Sequence, residues 1–219
     1  SPTRAIHFTG RDDPAYTKDI QFFTMATKGN AVKFGEATDN RDSTAGGFSS
    51  PTRGVFGGGN SPDTASSNVI EFITIASEGN ATDFGDLTVA RSASGSVGSR
   101  TRGLHGGGYT GSNSDVIDFW TFSSTGNATD FGNLVGAVHW NQPTSSATRG
   151  VWAQGNNPGS SNIIQYVTQN NPKKYKNYRN NYIENISCRL WVAIRFYSCH
   201  PQLLYTMTKL EKHKQLKKH

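Results

Sequence analysis

Four residues, Ser1-Pro2-Thr3-Arg4, return 49 positions later as Ser50-Pro51-Thr52-Arg53, and the echo continues through most of the chain. Thr52-Arg53-Gly54 recurs as Thr101-Arg102-Gly103 and then as Thr148-Arg149-Gly150, after steps of 49 and 47 positions. Each copy runs on into an apolar pair and small residues: Val55-Phe56-Gly57-Gly58-Gly59, Leu104-His105-Gly106-Gly107-Gly108 and Val151-Trp152-Ala153-Gln154-Gly155. A fixed period of this size means one supersecondary unit per copy, and no unit buries its apolar face alone. The chain is therefore expected to fold as an array, and function is to be sought on the array rather than in one catalytic motif.

The later parts of each copy recur as well. Asp19-Ile20-Gln21-Phe22-Phe23-Thr24 matches Val69-Ile70-Glu71-Phe72-Ile73-Thr74, Val116-Ile117-Asp118-Phe119-Trp120-Thr121 and Ile163-Ile164-Gln165-Tyr166-Val167-Thr168. Alternating apolar and polar positions rich in β-branched and aromatic types predict half-buried strands, with Phe72, Phe119 and Tyr166 in equivalent buried positions. Gly29-Asn30, Gly79-Asn80 and Gly126-Asn127 follow, a pairing that tolerates positive φ and predicts hairpin turns. Val32-Lys33-Phe34-Gly35, Thr82-Asp83-Phe84-Gly85 and Thr129-Asp130-Phe131-Gly132 supply another strand, with the three Phe as a second buried set. A Ser/Ala/Gly-rich stretch, residues 43–50 and 92–99, leads back to Thr-Arg-Gly. That makes four short strands per copy, with no helical stripe before residue 172. The Thr-Arg-Gly segments are expected to lead into inner strands, where glycine permits close backbone approach. The first copy is expected to lack its innermost strand, and the fourth to stop after its Ile-Ile-x-Tyr strand.

Four strands at this period is the sequence form of a β-propeller blade. Gly-Gly after an apolar pair, an Ile-x-Phe strand, and Asp-Phe-Gly-x-Leu followed by Ala90-Arg91-Ser92 resemble a kelch-type repeat over residues 1–169. Kelch repeats usually carry Tyr and Trp at the two aromatic positions, whereas Phe fills both in most copies here. The wording from Thr52-Arg53-Gly54 through Ala90-Arg91-Ser92 is also similar to repeats in structural proteins of marine tailed phages. The resemblance implies an all-β, kelch-like β-propeller of about four blades, or a propeller fragment, with a basic C-terminal extension.

Composition breaks sharply after residue 171. Residues 172–219 hold eleven Lys/Arg against two Asp/Glu, while the preceding 171 hold eleven against fourteen, and all 24 glycines precede the break. The expected domains are thus a repeat domain at 1–171 and a basic, glycine-free tail at 172–219 that packs loosely. Lys173-Lys174-Tyr175-Lys176-Asn177-Tyr178-Arg179 interleaves cations with aromatics, the one pattern suited to nucleic acid. The abrupt change also resembles sequence read past a frame change, and a tail strand is expected, if anywhere, at 190–196. The two cysteines, Cys188 and Cys199, both lie in the tail and fix no redox compartment. The chain opens at Ser1 inside a repeat, without an initiator Met, which suits truncation or processing. No run of about 18 apolar residues is present, which argues against a membrane span.

No nucleophile motif, phosphate loop or Cys/His metal spacing occurs, so neither an enzyme, a metal nor a cofactor is expected. His7 and His105 occupy the slot held by Phe56 and Trp152 in other copies, which favours core over catalysis. Asp12-Asp13 and Asp39-Asn40-Arg41-Asp42 are the nearest to calcium loops but do not recur, and solvated turns account for them. Arg4, Arg53, Arg102 and Arg149 recur once per copy, either as a cationic rim for an acidic glycan or, more simply, as ties between neighbouring copies.

The segments that differ most between copies are 11–18, 60–68, 109–115 and 156–162. Differing loops over a repeated scaffold suit recognition, and their Asn, Ser, Tyr and Gly content suits polar contacts to a sugar or protein surface. The candidate binding residues are Tyr109, Asn113, Asn156 and Asn157. The expected function is a non-enzymatic structural or recognition module of a phage virion, in a tail or host-attachment role. Its partners would be a glycan or protein surface and other virion proteins. Two alternatives are a carbohydrate-active or oxidase enzyme on a kelch-like propeller and a cellular kelch-type adaptor.

Overall fold

The computed structural model describes residues 3–178 apart from 13–14, 43–45, 63–64, 154, 158, 160–161 and 170–174. The described residues form an all-β array of four antiparallel sheets. The first contains β1 (Arg4–Asp12), β2 (Ala15–Thr24) and β3 (Val32–Arg41). The second runs β4 (Gly47–Ser49), β5 (Arg53–Gly57), β6 (Val69–Thr74), β7 (Thr82–Asp86), and the third β8 (Gly95–Gly98), β9 (Arg102–Gly106), β10 (Val116–Thr121), β11 (Thr129–Asn133). The fourth holds β12 (Gln142–Ser145), β13 (Arg149–Ala153), β14 (Ile164–Thr168) and β15 (Tyr175–Tyr178).

The repeat sets the register. Arg4 lies opposite Thr24, Arg53 opposite Thr74, Arg102 opposite Thr121 and Arg149 opposite Thr168. A bulge recurs after Ile20, Ile70 and Ile117, so the identical sequence pattern produces the identical irregularity. The Thr-Arg-Gly strands are the second strand of the last three sheets. The edge is made by the Ser/Gly-rich stretch, whose small residues suit a crowded side: β8 lies against both β4 and β12. Among the described residues the first sheet has three strands and no equivalent of β4. The fourth continues beyond Thr168, because β15 pairs with β14 from Ile164↔Tyr178 to Val167↔Tyr175. This strand comes from the far side of the break at 171/172. Expectations for residues 190–196 and for Cys188 and Cys199 lie outside the described residues.

Successive sheets pack face to face through three apolar clusters. Ile20, Phe34 and Ala37 meet Phe56 and Ile73; Val55, Ile70, Phe84 and Leu87 meet Trp120, Phe122 and Ala128; Leu104, Ile117, Phe131 and Leu134 meet Trp152 and Val167. Phe34, Phe84 and Phe131 are buried as the pattern demands. Phe72, Phe119 and Tyr166 are only half-buried. Each lies under an arginine, with Arg53, Arg102 and Arg149 at 4.7, 4.8 and 5.1 Å from the respective ring centres. Phe72 and Phe119 pack edge-on against the buried Phe84 and Phe131 at the margin of their clusters. The neighbouring Ile73, Trp120 and Val167 are buried.

The same arginines tie the array together. Arg4 Nη1 donates to Ile75 O, Arg53 Nη1 to Phe122 O and Arg102 Nη1 to Gln169 O, each reaching the following sheet at 2.9–3.1 Å. The Gly-Asn pairs are a second tie. They do not form tight hairpins: Asn80 and Asn127 keep negative φ, within the seven-residue connections 75–81 and 122–128. Gly79 N and Ala81 N donate to Phe34 O and Glu36 O of the preceding sheet, and Asn80 Oδ1 accepts from Glu36 N. Gly126, Ala128 and Asn127 repeat this against Phe84 and Asp86.

Candidate binding surface

The connections leaving the Thr-Arg-Gly strands meet those leaving the outer strands of the preceding copy. Three isolated bridges, Asp42↔Asn60, Ser92↔Tyr109 and His139↔Asn156, hold equivalent positions in successive copies. Gly58, Gly107 and Gly108, with φ of +68°, +74° and +113°, bend the chain into these bridges. A Cβ at Gly107 would come 2.7 Å from Val138 O, so the approach also demands glycine there.

The third bridge departs from the other two. Copies one and two carry Asp42-Ser43 and Ser92-Ala93 where copy three carries His139-Trp140. The His139 ring lies 5.4 Å from the Tyr109 ring and 4.6 Å from the Trp140 ring, so three aromatic rings stand in a row. Tyr109 is 42% and Trp140 64% exposed. Trp140 holds φ +52°, a conformation unusual for a bulky residue, and its N–H is fixed at 2.7 Å from Ala93 O. Together the three rings form a contiguous, partly exposed aromatic patch, which makes this the candidate binding surface.

Asparagines fix the middle ring. Asn113 Nδ2 donates to Asn156 O at 2.8 Å, which makes Asn113 Oδ1 the acceptor for His139 Nδ1, also at 2.8 Å. The neutral His139 ring therefore carries its proton on Nδ1, which leaves Nε2 as the acceptor of that tautomer. Asn156 Oδ1 accepts from Gly159 N, and Asn157 N donates to Gly159 O, both at 2.8 Å. The Asn157 side chain is exposed beside this turn.

Three of the four residues singled out from the sequence, Tyr109, Asn113 and Asn156, thus converge on His139, and Asn157 is adjacent in the chain. Sequence reasoning missed His139 and Trp140 as binding residues. The signal was present: a bulky aromatic pair stands where the other copies have small or acidic residues.

Other candidates resolve as structure. His105 is fully buried, with Nδ1 2.8 Å from Ser96 Oγ and Nε2 2.7 Å from Ser94 Oγ. Burial, and secondarily the Arg91 charge, hold its pKa well below the usual imidazole range. His7, expected in the same core slot, is exposed instead, because no described strand covers that edge of its sheet. Residues 39–41 are not a loop but the end of β3. Asp39 accepts from Ser61 Oγ at 3.0 Å, and Arg41 is buried against Glu71. Asp13 lies outside the described residues. Segment 11–18 is mostly strand, the ends of β1 and β2, rather than a free loop. The arginines expected as either rim or ties are ties at Arg4, Arg53 and Arg102. No family model matches the chain, and no curated protein matches it.

Proposed function

We propose that the chain is a non-enzymatic structural and recognition module, built as a kelch-like β-propeller or part of one, which binds a glycan or protein surface. The row Tyr109, His139, Trp140 carries this reading. Flat exposed rings offer stacking area to a sugar or apolar side chain at little conformational cost, and Asn157 and His139 Nε2 add polar contacts at its margin. The propeller reading is supported by equal sheet registers, face-to-face packing of successive sheets and the convergence of β4, β8 and β12 at one side. Its proposed setting, a phage virion in a tail or host-attachment role beside other virion proteins, rests on the wording of the repeat. No described helix is long and apolar enough to cross a membrane.

Screening the chain and its Trp140→Ala variant against immobilised bacterial surface polysaccharides tests the assignment. Binding that weakens about tenfold or more in the variant, or ~1.4 kcal/mol, supports it. Polysaccharide binding of equal strength in both chains, or none to any polysaccharide or host surface, removes it.

A further inference from the structure

The aromatic row lies inside the array, between the bridges Ser92↔Tyr109 and His139↔Asn156, with a described copy on each side of it. Segments 109–115, 134–141 and 155–162 carry the rings and their asparagine supports. Segment 60–68 reaches the row as well, since Ser66 Oγ donates to Tyr109 O at 3.4 Å. Together these four segments contain no Lys or Arg and two acids, Asp63 and Asp115, among many Asn, Ser, Thr and Gly. The arginines that begin β9 and β13 stand at the far ends of those strands, over Phe119 and Tyr166.

That charge pattern narrows the ligand. A phosphate, sulfate or uronate group needs Lys or Arg to replace its water, and these segments supply neither. Nucleic acids and acidic glycans are therefore disfavoured, and an uncharged ligand is not. The shape narrows it further. Interplanar angles of 53° between Tyr109 and His139 and 50° between His139 and Trp140 turn successive rings away from one another. The row is thus no flat plate for several stacked groups. It offers one broad exposed face, the Trp140 indole, beside a tilted imidazole. Asn157 Nδ2 comes within 3.9 Å of a Cβ position at Gly136, which puts its amide beside the segment that carries both rings.

A pyranose matches this set, because it pairs an apolar C–H face with a rim of hydroxyls that both donate and accept. Three rings and one amide are few beside the roughly 20–30 residues a side of a stable protein interface, but they can hold a sugar unit. We propose that the ligand of this row is a neutral glycan, one pyranose of which lays its C–H face on Trp140 while a hydroxyl donates to His139 Nε2. The inference rests on the binding surface proposed above and restricts its ligand to uncharged sugars.

The full chain and its Trp140→Ala and His139→Phe variants are titrated with dextran, mannan and galactan as uncharged probes and with alginate and hyaluronan as anionic ones. Expected is saturable binding to an uncharged probe that changes by less than about twofold between low and high salt, since no ion pair is screened. Trp140→Ala is expected to weaken it about tenfold or more, and His139→Phe, which keeps a ring but loses the acceptor, about threefold or more. Trp140-dependent binding confined to the anionic probes, or weakened about tenfold by salt, overturns the neutral-glycan inference and leaves the binding surface in place. Trp140-dependent binding to bacterial envelope proteins freed of polysaccharide, with none to the sugars, overturns it in the same way and identifies a protein partner. Binding that ignores Trp140, or none to any probe, removes the surface itself and this inference with it.

Discussion

The Arg91 guanidinium donates to the Asp118 carboxylate at 3.0 Å across the second and third sheets, with both side chains completely buried. The pair repeats one interface earlier as Arg41 and Glu71. The acid stands at the recurrent bulge and also accepts a backbone N–H of the preceding sheet: Thr88 N at 3.1 Å for Asp118, Thr38 N at 2.6 Å for Glu71. At the third interface both charges are gone together. Val138 occupies the arginine position, and Gln165 the acid position, where Oε1 still accepts from Val135 N at 2.7 Å. Burial pulls the Arg91 pKa down while Asp118 opposes the shift, the mark of a charge held by its partner.

Removing one partner strands the other charge in the interior. Arg91→Met is therefore expected to destabilise the array by about 3–5 kcal/mol. The double variant Arg91→Val with Asp118→Gln copies the third interface and is expected to recover most of that loss. Urea melting of the parent, both singles and the double as one thermodynamic cycle measures it. A double variant no better than Arg91→Met would show that the third interface owes its stability to something else.

Acid should weaken the fold through His105. Its folded pKa is depressed, so below about pH 6.5 the unfolded chain takes up a proton that the folded one refuses. Its contribution to stability is therefore undiminished above that pH and declines as pH falls toward the folded pKa. His105→Phe, which copies Phe56, is expected to flatten the dependence of melting temperature on pH between about 6.5 and 5. Parallel pH profiles for parent and variant would assign the acid sensitivity to other groups.

Much of this architecture was legible beforehand because it is periodic. Strand positions and the buried Phe34, Phe84 and Phe131 follow from pattern within one copy. What one copy could not show is how it meets the next. Gly79-Asn80 has the composition of a tight turn, yet it forms a strap to the preceding sheet. Phe72 has a strand-core pattern, yet it stands half-buried at the margin of its cluster, with Arg53 over its ring. The row of Tyr109, His139 and Trp140 depends on residues from different copies, and only Tyr109 and the asparagine supports stood out as variable positions.

Glycine at the straps is required by contact as well as by conformation. A Cβ at Gly85 would lie 2.5 Å from the Gly126 carbonyl group, at φ +144°. Gly85→Ala is expected to cost more than about 1 kcal/mol. Gly29→Ala faces nothing within 4 Å and should change stability by less than about 0.5 kcal/mol. Equal melting of the two variants would mean the strap yields without cost.

The two phenylalanine sets should separate energetically. Phe84 is 2% exposed between two sheets, and Phe84→Ala is expected to cost about 3–5 kcal/mol by leaving a cavity. Phe72→Ala uncovers a half-buried ring beneath Arg53 and should cost less than that. Denaturant titration ranks them, and a Phe72→Ala cost equal to or above that of Phe84→Ala would show that the ring at the cluster margin counts as much as the one at its centre.

Asn113 is the hinge between the fold and the proposed binding surface. Its amide bonds Asn156 O on one side and His139 Nδ1 on the other, each at 2.8 Å. Asn113→Ala removes both bonds and is expected to lower stability by about 1–2 kcal/mol, while releasing the imidazole from a single tautomer. Long-range nitrogen–proton correlation spectra of His139 should show the Nδ1–H form in the parent and a tautomer mixture in the variant. The Trp140→Ala chain, truncated at a side chain 64% exposed, should keep the parent's melting temperature. Binding of a surface polysaccharide should weaken in both variants, by loss of stacking area in one and of a fixed acceptor in the other. A His139 ring that stays in one tautomer without Asn113 would show that the amide does not position it.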